Sequence, residues 1–145
     1  LVFLRTLAIA SLAAVAVLAG LLTWTMQQQL QPTPDRTYLA DLSGEDGSVK
    51  MLAVFNTSQG KLNFKIISGA PAMNRDFEVW FIDGSKPPVS LGVLPLAGKQ
   101  ALSVSEKFLS SLATAVLAIS DEPKGGSPTG SPTGKVLAVG KVIAL

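Results

Sequence analysis

The chain has 145 residues, of which 48% are hydrophobic, a mean hydropathy of +0.41 and a formal net charge of +2. It contains no cysteine and no histidine, which excludes disulfides, thiol nucleophiles, Cys/His zinc sites and every His-based catalytic dyad or triad. Its lysines are scattered singly rather than gathered into a basic stripe, which speaks against nucleic-acid binding.

Much of the hydrophobic excess lies at the N-terminus. Thr6–Met26 (TLAIASLAAVAVLAGLLTWTM) carries no charge. As a helix it spans about 31 Å, which matches a hydrocarbon core of about 30 Å. Trp24 stands near its distal end, where an indole favours the headgroup region. Arg5 flanks the near end and the next charge is Asp35, so the positive-inside rule puts the N-terminus in the cytoplasm and the rest outside a bacterial-type membrane. Residues 1–26 are therefore expected to be a transmembrane anchor. A cleaved signal peptide would have a shorter apolar run and an A-x-A-like site, and a core helix would have a polar face. The chain begins at Leu1 rather than Met, which reads as a fragment or a processed chain.

Gln27–Asp35 (QQQLQPTPD) is polar and holds two prolines, so the helix should end by Gln31 and a short stiff linker should follow. Setting Arg5 apart from the 12 Lys and Arg leaves the remainder close to neutral against 10 Asp and Glu. Residues 36–145 then show short apolar runs with turn residues between them. The runs are Arg36–Leu42, Val49–Phe55, Lys61–Ile67, Phe77–Ile82, Ser90–Leu94, Gln100–Val104, Ala115–Ile119 and Val136–Ile143. In the third, Leu62, Phe64 and Ile66 alternate with Lys61, Asn63 and Lys65, the pattern of a half-buried strand. This predicts an all-β extracytoplasmic domain, an antiparallel β-sandwich of about 7–8 strands in two packed sheets. Ser105–Leu112 (SEKFLSSL) is the one expected helical turn, with Ser105 as its cap.

Few residues invite a chemical reading. Trp80, in FEVWFID, sits on a strand with apolar groups on both faces, which points to a central, core-packed strand; stacking on a ligand is the sharper alternative. GGSPTGSPTG offers glycines for an anion cradle, but prolines interrupt it and a strand follows, unlike a phosphate loop. Asp121 and Glu122 are adjacent in an extended segment and point apart, so they make a poor carboxylate pair for catalysis. Asp83 beside Gly84 is a turn residue. Ser85–Lys86 and Ser105 with Lys107 lack the apolar setting that a Ser–Lys dyad needs. No catalytic residue, cofactor or metal is expected.

Three stretches resemble the C-terminal, extracytoplasmic domain of anti-sigma-K factors of the RskA type. FEVWFIDGSKPPVSLGVL is similar to the family's aromatic-x-x-Trp segment and Ser-Leu-Gly strand through Phe77, Trp80, Ser90, Leu91 and Gly92. AISDEPKGGSPTG resembles its Glu-Pro-x-Gly-Gly-Ser-Pro signature through Glu122, Pro123, Gly125, Gly126, Ser127 and Pro128. Pro132, Thr133 and Gly134 resemble the Pro-Thr-Gly that closes the loop. Departures are the tandem SPTG, Phe77 in place of a frequent tyrosine, and the lack of a cytoplasmic sigma-binding region ahead of the anchor.

The resemblance implies a membrane anchor and outer sensory domain of an anti-sigma factor that negatively regulates sigma-dependent transcription. The sigma factor would be bound through a cytoplasmic region outside these residues. An envelope protease would cut within Gln27–Arg36, and Gly20 would be the weak point within the membrane, since glycine lowers helix propensity by about 1 kcal/mol. A membrane-tethered β-sandwich that binds an envelope ligand or protein is the alternative, and an exposed aromatic patch would favour it.

Overall fold

The computed structural model describes residues 2–29 and 35–145, and within the helix it describes the side chains of residues 14–27. The expected linker at 27–35 and the expected cut stretch at 27–36 lie largely outside the described residues, as does the side chain of Arg5. The chain divides into two units, Leu1–Thr33 and Pro34–Leu145.

The first unit is built on α1 (Val2–Gln29). Its alanines and leucines are strong helix formers. Thr23 and Thr25 turn their hydroxyls back onto the carbonyls of Gly20 and Leu22, each at 2.9 Å, so neither hydroxyl needs an outside partner. Leu18, Leu22 and Trp24 are exposed. Among the described residues, no helix is long and apolar enough to cross a membrane.

The second unit contains eight strands: β1 (Thr37–Ser43), β2 (Lys50–Asn56), β3 (Lys61–Ser68), β4 (Arg75–Ile82), β5 (Val89–Val93), β6 (Ala101–Ser103), β7 (Val116–Pro123) and β8 (Val136–Ala144). Period-two alternation sets their faces. Met51, Ala53 and Phe55 of β2 are buried, as are Leu62 and Phe64 of β3, while Lys61, Asn63 and Lys65 face out. Most strands begin and end within a residue or two of the expected runs. β7 continues from Ile119 to Pro123 and so carries Ser120 and Glu122 alongside β4.

The eight strands form one antiparallel sheet in the order β5-β4-β7-β8-β1-β2-β3-β6. This corrects the expectation of two separate sheets. β8 pairs with β7 on one side and β1 on the other, Leu117 standing opposite Gly140 and Leu39 opposite Ile143, so the two halves share one ladder. Register shifts at Lys50/Met51, Val79/Trp80 and Ile119/Ser120 bend the strands, and the sheet curls until it is nearly a closed barrel. Its edge strands come close: a Cβ on Gly92 of β5 would lie 3.7 Å from Leu102 of β6. The interior is filled by inward side chains of every strand, including Leu42, Met51, Phe55, Phe77, Phe81 and Leu117.

The expected helix at 105–112 is also corrected. Two 3₁₀ turns, Glu106–Phe108 and Leu112–Thr114, take its place, and the Ser105 hydroxyl makes no capping bond. So short a segment gains little as a helix and is fixed by packing instead. Leu112 is buried, and the Phe108 ring lies 4.7 Å from that of Phe81.

Candidate functional site

β4 is paired on both sides and buried on both faces, which agrees with a central strand. Phe77, Val79 and Phe81 point into the barrel. The residues between them, Asp76, Glu78 and Trp80, stand on the opposite face, yet Glu78 is 5% exposed and Trp80 wholly buried. On β7, Glu122 lies opposite Asp76, Ser120 opposite Glu78 and Ala118 opposite Trp80. The register thus brings three carboxylates and one indole together on the outside of a sheet, where carboxylates would ordinarily be solvated.

The segment from Lys124 to Gly134 covers them. Gly125 N–H donates to Asp76 Oδ2 at 2.9 Å, and Lys124 Nζ bonds Asp76 Oδ1 at 2.8 Å. Ser127 N–H donates to Glu78 Oε2 at 2.6 Å. From across β5, the Ser90 hydroxyl donates to Glu78 Oε1. Glu122 receives the N–H groups of Thr133 and Gly134, each at 3.0 Å, together with the hydroxyl of Thr133. Ser120 donates to Glu122 Oε1 at 2.6 Å and accepts from Trp80 Nε1 at 2.8 Å. Asp121 faces the other way, as expected of a neighbour in a strand, and pairs with Arg75.

Backbone shape makes this clamp possible. Gly126 has φ +100° and passes close to Glu78; a Cβ there would sit 3.1 Å from Glu78 Oε2 and 3.1 Å from Val93 Cγ2. At Gly134 a Cβ would lie 1.6 Å from the carbonyl oxygen of Asp121, so only glycine fits. Gly92, at φ +118°, belongs to the irregularity that lets Ser90 pair with Trp80 while Gly92 pairs with Val79; its N–H donates to Ser90 Oγ at 3.1 Å and holds that hydroxyl in place. Pro123 ends β7 and its carbonyl accepts the Gly126 N–H at 2.8 Å. Beyond the clamped residues, Ser127 and Thr129 both bond the carbonyl of Ser131, bracing the tip that contains Pro128 and Pro132.

The electrostatics follow from these donors. The Gly125 N–H, with the Lys124 ammonium, holds Asp76 below the usual carboxylate range. Burial pushes Glu122 up, but the hydroxyls of Ser120 and Thr133 and the N–H groups of Gly134 and Thr133 outweigh it, and the carboxyl lies below its ordinary value. All three carboxylates are thus used internally. Among the described residues every buried side-chain polar atom has a partner, and no group of three or more metal-ligating side chains could hold an ion. The arrangement is chemically a lock, in which the carboxylates are held by donors of the same chain.

Nearly all of the residues singled out in the sequence meet here. Trp80, Ser90, Gly92, Glu122, Gly125, Gly126, Ser127, Thr133 and Gly134 contribute bonds or close approach to one network, and Leu91 packs against the core. The stacking alternative for Trp80 does not apply, since the indole is wholly buried and its N–H is used. The glycine-rich loop does cradle anions, but they are the protein's own carboxylates. Sequence reasoning missed Asp76 and Ser120 and passed over Glu78. Their signal was an Asp-x-Glu-x-Trp alternation that could pair with Ser-x-Glu on another strand.

The remaining candidates stay apart. Asp83 is a turn residue whose carbonyl accepts the Lys86 N–H and whose carboxylate bonds Lys86 Nζ at 2.6 Å. Lys86 is 74% exposed and engaged with Asp83, not the desolvated lysine that a Ser–Lys dyad needs. Lys107 is exposed, and its Nζ lies 4.9 Å from the centre of the Phe108 ring.

No curated protein and no solved structure is matched by this chain. A family model does match: "Anti-sigma-K factor rskA, C-terminal" covers residues 7–136, from within α1 through the carboxylate clamp to the first residue of β8. That membership implies an anti-sigma factor role, which is regulatory. The chain belongs to the family of anti-sigma-K factor C-terminal domains.

Proposed function

We propose that this chain is the membrane anchor and extracytoplasmic sensory half of an anti-sigma factor. Thr6–Met26 crosses the membrane with Arg5 on the cytoplasmic side, and residues 36–145 fold outside as a domain separate from the linker at 27–35. The sigma factor is held by a cytoplasmic segment N-terminal to the residues described. An envelope protease cuts within Gln27–Arg36, a second cut near Gly20 follows, and the cytoplasmic part is released with its sigma factor. The observation that carries this reading is a family match running continuously through the uncharged helix and the strand unit. The outward-facing leucines of α1 and the self-satisfied hydroxyls of Thr23 and Thr25 suit a lipid surrounding.

The test is purification of the full-length native protein from membranes, with identification of what comes with it. A sigma factor retained only when the segment ahead of Leu1 is present is the expected result. Its absence, with an envelope component bound instead, would overturn the proposal in favour of a tethered binding module. That alternative calls for an exposed aromatic patch on the sheet, whereas Tyr38, Phe55, Phe64, Phe77, Trp80 and Phe81 are all buried.

A further inference from the structure

β4 ends at Ile82 and the chain turns at once, the Lys86 N–H closing the turn on the Asp83 carbonyl at 3.1 Å before β5 starts at Val89. Between this turn and the 3₁₀ segment that follows β6 lies a cleft of about 360 Å³. Its floor is the Phe81 ring, buried in the barrel, with the half-buried Phe108 ring against it. Pro87 and Val89 continue the apolar wall, and Val89 is 42% exposed. Backbone bonds also fix the 3₁₀ side: Phe108 N–H donates to the Ser105 carbonyl at 3.0 Å, and Ser111 N–H to that of Phe108 at 3.2 Å. The cleft is therefore preformed, and its volume is that of a small-molecule site at the mouth of a barrel.

Lys86, Lys107 and Asp83 line the same cleft. Lys86 bonds Asp83 at 2.6 Å and holds that carboxyl below its ordinary value, with a smaller donation from the Ser111 hydroxyl. Their charges cancel. Lys107 is different: its Nζ lies 4.9 Å over the Phe108 ring, and among the described residues it has no ion-pair partner. The exposed Ser110 adds a hydroxyl beside it. The cleft thus carries one uncompensated positive charge next to an apolar floor. A second cleft, of about 410 Å³ between Ser43–Asp46 and Lys135–Val139, lacks both features. It has no aromatic lining, and its Glu45 and Asp46 outnumber Lys135.

We infer that this cleft binds a small organic monoanion with a flat apolar body, an aromatic carboxylate in chemical class, with the carboxylate at Lys107 and Ser110 and the ring against Phe108, Pro87 and Val89. An ammonium at the edge of an apolar floor suits a ligand with one charged end and one apolar end. A bare inorganic anion gains nothing from the floor. A phosphate ester, with nearly two negative charges, leaves one of them unpaired. An organic cation of the same shape is repelled by Lys107. The site lies wholly within the unit Pro34–Leu145 and needs no membrane, so it stands or falls apart from the function proposed above.

The test is amide NMR of the full chain in dodecyl maltoside, titrated with benzoate and, separately, with benzylamine, which has a similar ring and the opposite charge. Benzoate should give saturable shifts at Asp83, Lys107, Phe108 and Ser110, and benzylamine should give none there. Lys107→Ala should weaken benzoate binding by about three- to five-fold, and high salt should weaken it as well. Phe108→Leu, which keeps an apolar side chain against Phe81 but removes the ring, should also weaken it. Lys135→Ala, in the other cleft, should leave it unchanged. Partitioning into detergent is common to all these chains and cancels in the comparison. Equal response to the two probes, shifts centred outside the cleft, no saturable shift, or a Lys107→Ala or Phe108→Leu chain that binds benzoate as before overturns the inference.

Discussion

Glu122→Ala tests the carboxylate clamp most directly. The substitution removes the acceptor for the Ser120 hydroxyl, the Thr133 N–H and hydroxyl, and the Gly134 N–H. Ser120 is wholly buried and cannot turn to water, so its loss carries the full penalty of a buried unsatisfied group, about 1–3 kcal/mol. Thr133 is exposed and Gly134 half-buried, so water replaces part of their bonds and each costs about 0.5–1 kcal/mol. The sum is about 3 kcal/mol. With unfolding entropy near 2.1 cal/mol/K per residue, the unit Pro34–Leu145 has roughly 0.23 kcal/mol/K at its midpoint, and Tm should fall by about 13 °C. Trp80 donates to Ser120 and so reports the site, and Trp24→Phe leaves it as the sole indole. The assay is urea and thermal unfolding of the Trp24→Phe chain, with and without Glu122→Ala, followed by Trp80 fluorescence. A loss below about 1 kcal/mol at an unchanged m-value would refute the clamp as a stabilising element.

Asp76 and Glu122 both have folded pKa values below their ordinary ones, so in the titration window the unfolded chain binds more protons than the folded chain, and stability rises with pH there. Their contribution should be intact above the unfolded values near pH 4 and lost as pH falls through the lower folded values; urea midpoints from pH 7 to pH 2 should show the limb, and Glu122→Gln should make it shallower. Gly134→Ala should cost over about 3 kcal/mol or prevent folding, because its Cβ would meet the Asp121 carbonyl at 1.6 Å. Gly130→Ala, at φ +75° with open space around it, should cost only about 1 kcal/mol, and equal losses at the two glycines would contradict the geometry. Ser90→Ala removes one bond to Glu78 and should lower stability by about 1–2 kcal/mol in the same urea assay.

The strands were legible because they depend on local rules. Alternation in Lys61–Ile67 and Val49–Phe55, punctuated by Asn-Thr-Ser-Gln-Gly and similar turns, is enough to place them. How they join is a matter of long-range pairing. Nothing local to Val136–Ala144 says that it lies between β1 and β7, so one curled sheet could not be told from two packed ones. Asp76 and Glu78 were hidden for the same reason: on their own they resemble the wet face of a strand. Their donors Gly125 and Ser127 are 49 residues away in sequence. Ser105–Leu112 failed differently, since an amphipathic pattern of that length does not decide between an α-helical turn and the 3₁₀ turns that form.

The clamp also narrows where a ligand could bind. Glycines, paired hydroxyls and carboxylates under a proline-containing loop have the composition of a binding site, but among the described residues each buried side-chain polar atom already has a partner within the chain. A ligand could compete only by displacing the loop from Asp76, Glu78 and Glu122 together, at the cost of several charge-assisted bonds. The network is therefore better suited to holding the outer face of β4 and β7 shut than to sensing. Its geometry explains why these residue types occur together: Gly126 and Gly134 admit the loop, Thr133 and Ser127 supply donors, and Trp80 fills the apolar side of the same layer.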